Sequence, residues 1–377
     1  MLSSKLVIVE PYEHYEILER WLPVLATIHQ NIACWVRVPS VEHDLRGVIE
    51  ACPTASLDHP NSEQDFDEWL KQKLSGLSET DCVLWVTTGL RYDRLMHIPA
   101  VTPLMLVGHN LRSLLAPELG WPNRLKSIGT LVKYWLSGQA FYRRRLISRT
   151  PILLVPNTSL ARQAAKLGYN EDKIKVWRFS DQSPSAPIQT NSKRRVVVPG
   201  TIRPRDRDYD TLFQVVSQSL SSFKTETKLI FLGHCRFKSF KRKWEQLAEQ
   251  SSSLQVQFYD EPLRTQEYYS LMLGATVVVL PLKEQVYFGP FKEYLGSSKV
   301  SGGVYDAFAH NKPLLLPAFY STDDLEGYLS IHNYSSPSDA TQKLIHILGQ
   351  PNHGIKSKTG ISELRKQMHD TLSTILG

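Results

Sequence analysis

The sequence predicts an α/β protein: two doubly wound domains with parallel sheets, facing one another across a cleft. Three observations carry this. The chain has 377 residues, about twice the usual length of a single domain. Short β-rich apolar runs alternate with helical patterns, as in a parallel sheet covered on both faces. That alternation stops once, in a polar stretch, and then begins again.

In order, Leu6–Glu10 reads as a strand, Tyr15–His29 as a helix and Ile32–Val38 as a strand. Cys82–Thr87, Leu104–Val107 and Pro151–Val155 are further strands, and Thr158–Leu167 is a helix stopped by Gly168. The segment 181–192 holds two prolines and has no apolar period, which is linker composition. Beyond it come strand Arg195–Val198, helix Tyr209–Leu220 and strand Lys228–Leu232. A basic helix around Phe240–Gln250, strand Leu254–Tyr259, helix Thr265–Leu273 and strand Thr276–Leu280 follow. Helix Val304–His310 and strand Pro313–Leu316 complete the pattern. The expected domains are therefore residues 1–180 and 193–350. A last helix over 362–376, with Leu364, Met368, Leu372 and Ile375 on one face, is expected to cross back onto the first domain.

Composition narrows the class. With 42% hydrophobic and 21% charged residues, the chain is neither disordered nor fibrous. Mean hydropathy is -0.26, and its apolar runs are too short to cross a bilayer. The N-terminal run Leu6–Val9 is shorter than a signal-peptide core and reads as a buried strand. The 4 cysteines (Cys34, Cys52, Cys82, Cys235) lack metal-site spacing, so reduced buried thiols, no structural metal and a cytoplasmic setting are expected. A net charge of +7 suggests an anionic partner: phosphate groups, an acidic membrane surface or nucleic acid.

Ligands of open α/β sheets bind beyond the carboxyl ends of the strands, so residues just after strands are the first candidates. Val196-Val197-Val198-Pro199-Gly200-Thr201-Ile202-Arg203-Pro204-Arg205-Asp206-Arg207-Asp208 runs from a strand into a loop with three arginines. Guanidinium groups clamp phosphate oxygens bidentately. Asp206 and Asp208 interleave with the arginines, so the loop reads equally as solvated Arg–Asp pairs. Ser301-Gly302-Gly303 opens a helix, where first-turn N–H groups and the helix dipole favour phosphate, with Asp306 one turn on. An ordinary glycine turn before a helix is the plain alternative.

With these stretches on the page, the C-terminal half resembles the donor-binding domain of GT-B fold glycosyltransferases, nearest the GT4-like retaining enzymes. Leu229-Ile230-Phe231-Leu232-Gly233, Val256–Glu261 and Asp306-Ala307 through Lys312-Pro313 carry the likeness. The first half is similar through Leu106-Val107-Gly108-His109-Asn110 and Leu154–Arg178. The resemblance implies transfer of a sugar from a nucleotide diphosphate sugar to a glycan or lipid-linked acceptor, in cell-envelope or exopolysaccharide synthesis. It implies no separate cofactor. It sets Gly200, Arg203, Arg205 and Arg207 at the diphosphate with Ser301, Gly302 and Gly303, Asp306 at the ribose, Tyr259 near the base and His109 near the sugar. Where the family carries its first acid, eight residues before Asp306, this chain has Ser298, and Lys283–Ser297 reads as an insertion in which Glu284 and Glu293 offer carboxylates. A sugar-nucleotide epimerase and a non-catalytic scaffold on the same fold are the alternatives.

Arginines and a helix N-terminus can meet leaving-group charge without a metal. A base on the acceptor side would come from Glu13, His14, Asp93 or His109, each of which follows a strand and each of which also reads as a cap or surface charge. Arg124–Arg149 holds seven cations and no acid. Its Leu125, Ile128, Val132, Trp135 and Leu136 recur at helical spacing, which suits an anionic membrane surface or an apolar face packed on the sheet. Nucleic acid is disfavoured, because no recognition motif accompanies the charge.

Overall fold

In the computed structural model the chain forms two compact units. The first comprises Met1–Phe179, Tyr287–Glu293 and Ile361–Gly377; the second comprises Ser180–Val286 and Tyr294–Gly360. The structure describes residues 5–12, 14–37, 41–116, 125–178, 194–223, 225–350 and 360–376. The expected linker at 181–192 and the candidate Glu13 lie outside the described residues.

The first unit begins β1 (Lys5–Glu10), α1 (Tyr15–Leu25), β2 (Ile32–Val36), α2 (Val41–Glu50), β3 (Ala55–Asp58), α3 (Phe66–Ser75) and β4 (Asp81–Trp85). It continues with β5 (Leu104–Val107), the short α4 (Leu111–Leu115), α5 (Leu125–Leu136), α6 (Gln139–Ser148), β6 (Ile152–Val155), α7 (Thr158–Lys166) and β7 (Ile174–Val176). Its seven strands pair in parallel in the order β3-β2-β1-β4-β5-β6-β7. The central strands are continuous apolar runs, and Leu6–Val9 and Val83–Trp85 are fully buried. That is the pattern required of strands covered on both faces. Helix starts are capped locally: Asp65 accepts the N–H groups of Asp67 and Glu68, and Asn157 accepts that of Leu160. Near the end of this run, Trp177 packs edge-on against Trp21, whose Nε1 donates to the Arg178 carbonyl at 3.0 Å.

The second unit contains β8 (Arg194–Val198), α8 (Tyr209–Ser219), β9 (Thr227–His234), α9 (Lys238–Ala248), β10 (Leu254–Tyr259), α10 (Thr265–Leu273) and β11 (Val277–Val279). A two-stranded hairpin, β12 (Gln285–Phe288) and β13 (Phe291–Tyr294), follows, and its residues Tyr287–Glu293 belong to the first unit. Then come α11 (Gly302–Ala309), β14 (Leu314–Pro317), β15 (Ile331–Tyr334) and α12 (Pro337–Gly349). The six-stranded sheet runs β10-β9-β8-β11-β14-β15, again parallel. Phe231, Phe240, Trp244 and Phe258 stack into one aromatic cluster, fastening the basic helix α9 to the sheet by its apolar stripe. The last helix, α13 (Gly360–Leu376), buries Met368 and Leu372 and from Ile361 belongs to the first unit.

In both sheets the order reverses once, between β1 and β4 and between β8 and β11. Such a reversal splays the adjoining loops and opens a crevice at the carboxyl ends of the strands. Both clusters described below sit at those two points.

Candidate functional site

At the reversal of the second unit, β8 ends in Pro199 and Gly200. Gly200 has φ +82°, a conformation that glycine adopts without strain. A Cβ there would stand 2.6 Å from Nη2 of Arg207. Gly233, near the end of β9, approaches even closer: its Cβ would lie 2.2 Å from the Gly200 carbonyl oxygen. The two glycines let the arginine loop fold down onto the strand ends.

The loop is a tight turn in which Asp206 and Arg207 donate their N–H groups to the Arg203 carbonyl at 2.9 and 3.1 Å. Arg207 forms an antiparallel bridge with Leu282, and Asp208 donates to the Pro281 carbonyl at 2.8 Å, so the loop is tied to the chain leaving β11. Lys283 Nζ braces the loop through the carbonyls of Pro204 and Arg205, at 2.9 and 3.0 Å. The three arginines have different fates. Arg205 pairs with Asp206 at 2.8 Å, and Arg203 is exposed. Asp208 is spent on capping α8, accepting from the N–H and hydroxyl of Thr211. Arg207 is left with a buried Nη1 that has no hydrogen-bond partner. Between the two readings of this loop, Arg205 follows the ion-pair one and Arg207 does not.

Helix α11 starts against the same strand ends. A Cβ on Gly303 would meet Leu280 at 2.7 Å and Pro199 at 3.0 Å, whereas one on Gly302 would meet nothing within 4 Å. Ser301 is the N-cap without a side-chain cap bond, and its N–H donates to the Tyr320 hydroxyl at 3.1 Å. The structure thus gathers Gly200, Arg207, Ser301, Gly302 and Gly303 around Pro199. One turn into α11, Asp306 Oδ2 accepts the Tyr268 hydroxyl at 2.7 Å. Tyr259 stands on the edge strand β10, two strands from β8, where its hydroxyl accepts from Gln257 at 2.6 Å.

At the reversal of the first unit lies a residue that sequence reading passed over. Glu10, the last residue of β1, is fully buried. Its carboxylate accepts the Thr87 hydroxyl and the Tyr12 N–H, both at 2.7 Å. Burial pushes its pKa up to about 7, against the opposing pull of His14 and of those two hydrogen bonds. His109, just beyond β5, lies with Nε2 2.8 Å from the Val86 carbonyl. A carbonyl only accepts, so Nε2 carries the proton and a neutral ring keeps Nδ1 as its basic nitrogen. The His109 ring stacks on His14, centroids 5.6 Å apart, and His14 Nδ1 lies 3.1 Å from Glu16. Both candidate histidines therefore gather at this crevice. Asp93 is drawn elsewhere: burial raises its pKa, but Arg91 and Gln139 outweigh that and hold it below the carboxylate range. Glu293 is fully buried and bonded to the start of α4, so it offers no free carboxylate.

The basic segment departs from the packed alternative. Among the described side chains of α5, Tyr134 is the buried one, and it meets Phe291 edge-on at 5.4 Å. Ile128, Val132, Trp135 and Leu136 are exposed instead. Among the cations, Arg143 is buried against the Ala116 carbonyl at 2.6 Å and the Phe291 ring at 5.6 Å. Arg149 bonds the carbonyls of Ile98 and Pro99. These two serve the fold; Lys133, Arg144 and Arg145 face outward. No helix among the described residues is long and apolar enough to cross a membrane.

No family model matches this chain, and no curated protein matches it significantly in sequence. Solved structures do match in fold. A UDP-GlcNAc 2-epimerase from Neisseria meningitidis, bound to UDP-GlcNAc, superposes with TM-score 0.58 at 14% identity, covering 98% of this chain and 100% of that one. A UDP-GlcNAc 2-epimerase from Methanocaldococcus jannaschii gives TM-score 0.59 at 10% identity, with 98% and 99% covered. A glycosyltransferase from Rickettsia africae gives 0.55 at 11%, with 99% and 93% covered. The chain has the GT-B-like fold of two Rossmann-type α/β domains that these proteins share.

Proposed function

We propose that this chain is a nucleotide-sugar enzyme that holds the diphosphate of its substrate between Arg207 and the first turn of α11. The observation that carries this is the buried, unpartnered Nη1 of Arg207 beside Gly200, at the strand-order reversal of the second unit. A buried guanidinium N–H without an acceptor is costly, and a phosphate oxygen would satisfy it. Asp306, oriented by Tyr268, would accept from the ribose hydroxyls.

Epimerisation of a UDP-N-acetylhexosamine is the reading that the comparisons support better, through the two epimerases. Epimerisation at carbon needs a proton removed and returned, and the first unit carries Glu10, His14 and His109 as acid–base candidates. Transfer of the sugar to a glycan or lipid-linked acceptor, as in the GT4-like enzymes, is the second reading. The exposed apolar and basic side of α5 and α6 favours it, as does the Rickettsia protein. A cytoplasmic setting fits this reading, because the four buried free thiols suit a reducing compartment.

Calorimetry with UDP-, GDP- and ADP-sugars, followed by proton NMR of the bound donor in D2O, tests this. Deuterium entering the sugar at C2 without acceptor supports epimerisation. Turnover only with a lipid-linked or glycan acceptor supports transfer. If no nucleotide sugar binds, the proposal fails and a non-catalytic scaffold is the better reading.

A further inference from the structure

Helices α5 and α6 expose a cluster that a protein surface in water does not ordinarily keep. On α5, Ile128, Val132 and Trp135 follow one another at spacings of four and three, with Leu136 beside them, and so form one stripe. Tyr134, on the opposite side, is buried and packs on Phe291 of its own unit. Gly138, with φ +72°, turns the chain sharply into α6. There Gln139, Ala140, Arg143 and Leu146 face inward, while Phe141, Arg144 and Arg145 face out. Three strongly exposed apolar residues flank this corner: Leu136 at 84%, Phe141 at 61% and Trp135 at 55%. Large apolar side chains grouped in this way mark an interaction surface.

We propose that this corner docks the first unit onto a bilayer surface that carries acidic lipid headgroups. The charge pattern selects that occupant. Lys133, Arg144 and Arg145 flank the apolar stripe, and no acidic residue occurs anywhere in Arg124–Arg149. An aromatic and aliphatic wedge on a segment whose charges are all positive matches the interface of an anionic membrane, where rings lie at headgroup level and cations meet phosphates. A second copy of the chain fits poorly, since a two-fold interface would bring this patch, whose charges are all cationic, against the same patch of its partner. The 12 residues of α5 rise about 18 Å, short of the ~30 Å hydrocarbon core, so the helix lies in the interface and does not span it. The proposal stands independently of which sugar reaction the chain performs.

Flotation of the full chain with vesicles of phosphatidylglycerol and phosphatidylcholine, against phosphatidylcholine alone, tests it. Binding to the acidic vesicles, weakened by added salt, is expected. Trp135→Ser combined with Leu136→Ser and Phe141→Ser should lower that binding roughly tenfold or more, as should Arg144→Glu with Arg145→Glu. All five side chains are exposed, so unchanged thermal unfolding verifies that the fold is intact. Trp135 is the exposed tryptophan among the described residues, so its fluorescence should shift to the blue on acidic vesicles, and Trp135→Phe should abolish the shift while leaving flotation. Equal binding to neutral vesicles, no binding at all, or binding that survives both sets of variants overturns the proposal. So does self-association in sedimentation that the serine variants abolish, because the occupant would then be a second copy.

Discussion

The Glu293 carboxylate accepts the Ser113 N–H at 2.8 Å and the Arg112 N–H at 3.2 Å, joining residues 180 and 181 positions apart. Those two N–H groups open α4, where a helix has no acceptors of its own. Fully buried, Glu293 therefore works as a cap supplied from a distant hairpin, with Phe291 of the same hairpin packed on Tyr134 and under Arg143. Within the insertion between β11 and α11, Tyr287–Glu293 is thus a structural part of the first unit.

Glu293→Ala should strand both N–H groups in a buried site and cost about 2–4 kcal/mol. Glu293→Gln keeps one acceptor oxygen and should cost less. Urea unfolding monitored by tryptophan fluorescence reads this, since five of the buried tryptophans, Trp21, Trp35, Trp69, Trp85 and Trp177, lie in the first unit. Superimposable parent and alanine curves would mean that the cap contributes nothing.

The glycines of the phosphate loop make a graded pair. Gly233→Ala forces a methyl group onto backbone atoms of Gly200 and Thr201 that cannot rotate away. It should both destabilise the second unit and abolish nucleotide-sugar binding. Gly200→Ala meets only the mobile end of Arg207, but at a positive φ. About 1–2 kcal/mol of stability should be lost, with binding weakened about tenfold through displacement of the guanidinium. Calorimetric titration and thermal melts of both variants check the order; equal effects would contradict it.

How much of this was legible beforehand depended on the range of the interactions. Buried runs such as Leu6–Val9 and Val196–Val198 announce central strands by themselves. The edge strands Ala55–Asp58, Ile174–Val176 and Ile331–Tyr334 are short and half polar, and pass for loops. Arg205 and Arg207 are alike in spacing, and only the turn decides that Asp206 takes one while Asp208 turns to Thr211. Glu10 reads as an ordinary strand end until the β1–β4 register brings Thr87 to it. The stripe on α5 was visible as a stripe, but periodicity carries no information on whether protein covers it.

Arg207→Ala should weaken nucleotide-sugar binding by about ten- to a hundredfold, the worth of a charge-assisted phosphate contact of about 1.5–3 kcal/mol. Arg205→Ala, whose partner is Asp206, should change binding far less. Asp306→Ala should weaken binding while Tyr268→Phe, which removes only the group orienting it, gives an intermediate loss. Calorimetry with UDP and with a UDP-sugar separates the roles, and a larger loss for Arg205 than for Arg207 would reverse the assignment.

Burial raises the Glu10 carboxyl from an ordinary 4.5 to about 7. Over that interval the folded chain holds a proton that the unfolded chain releases. Its stabilising effect is complete below 4.5 and is lost as pH rises through 7, by about 3 kcal/mol in all. Glu10→Gln cannot ionise, and its amide can still accept one bond and donate to the Thr87 hydroxyl. The variant should therefore match the parent near pH 4.5 and become more stable than it by up to that amount at pH 8. Comparing the two proteins at each pH cancels the titrating groups that do not interact with Glu10. Thr87→Val removes a hydrogen bond that favours the ionised form, so in that variant the decline should extend to higher pH. Parallel parent and Glu10→Gln stabilities across this range would mean that Glu10 keeps its ordinary acidity in the folded chain, and would remove it as a group that gives and takes a proton near neutrality.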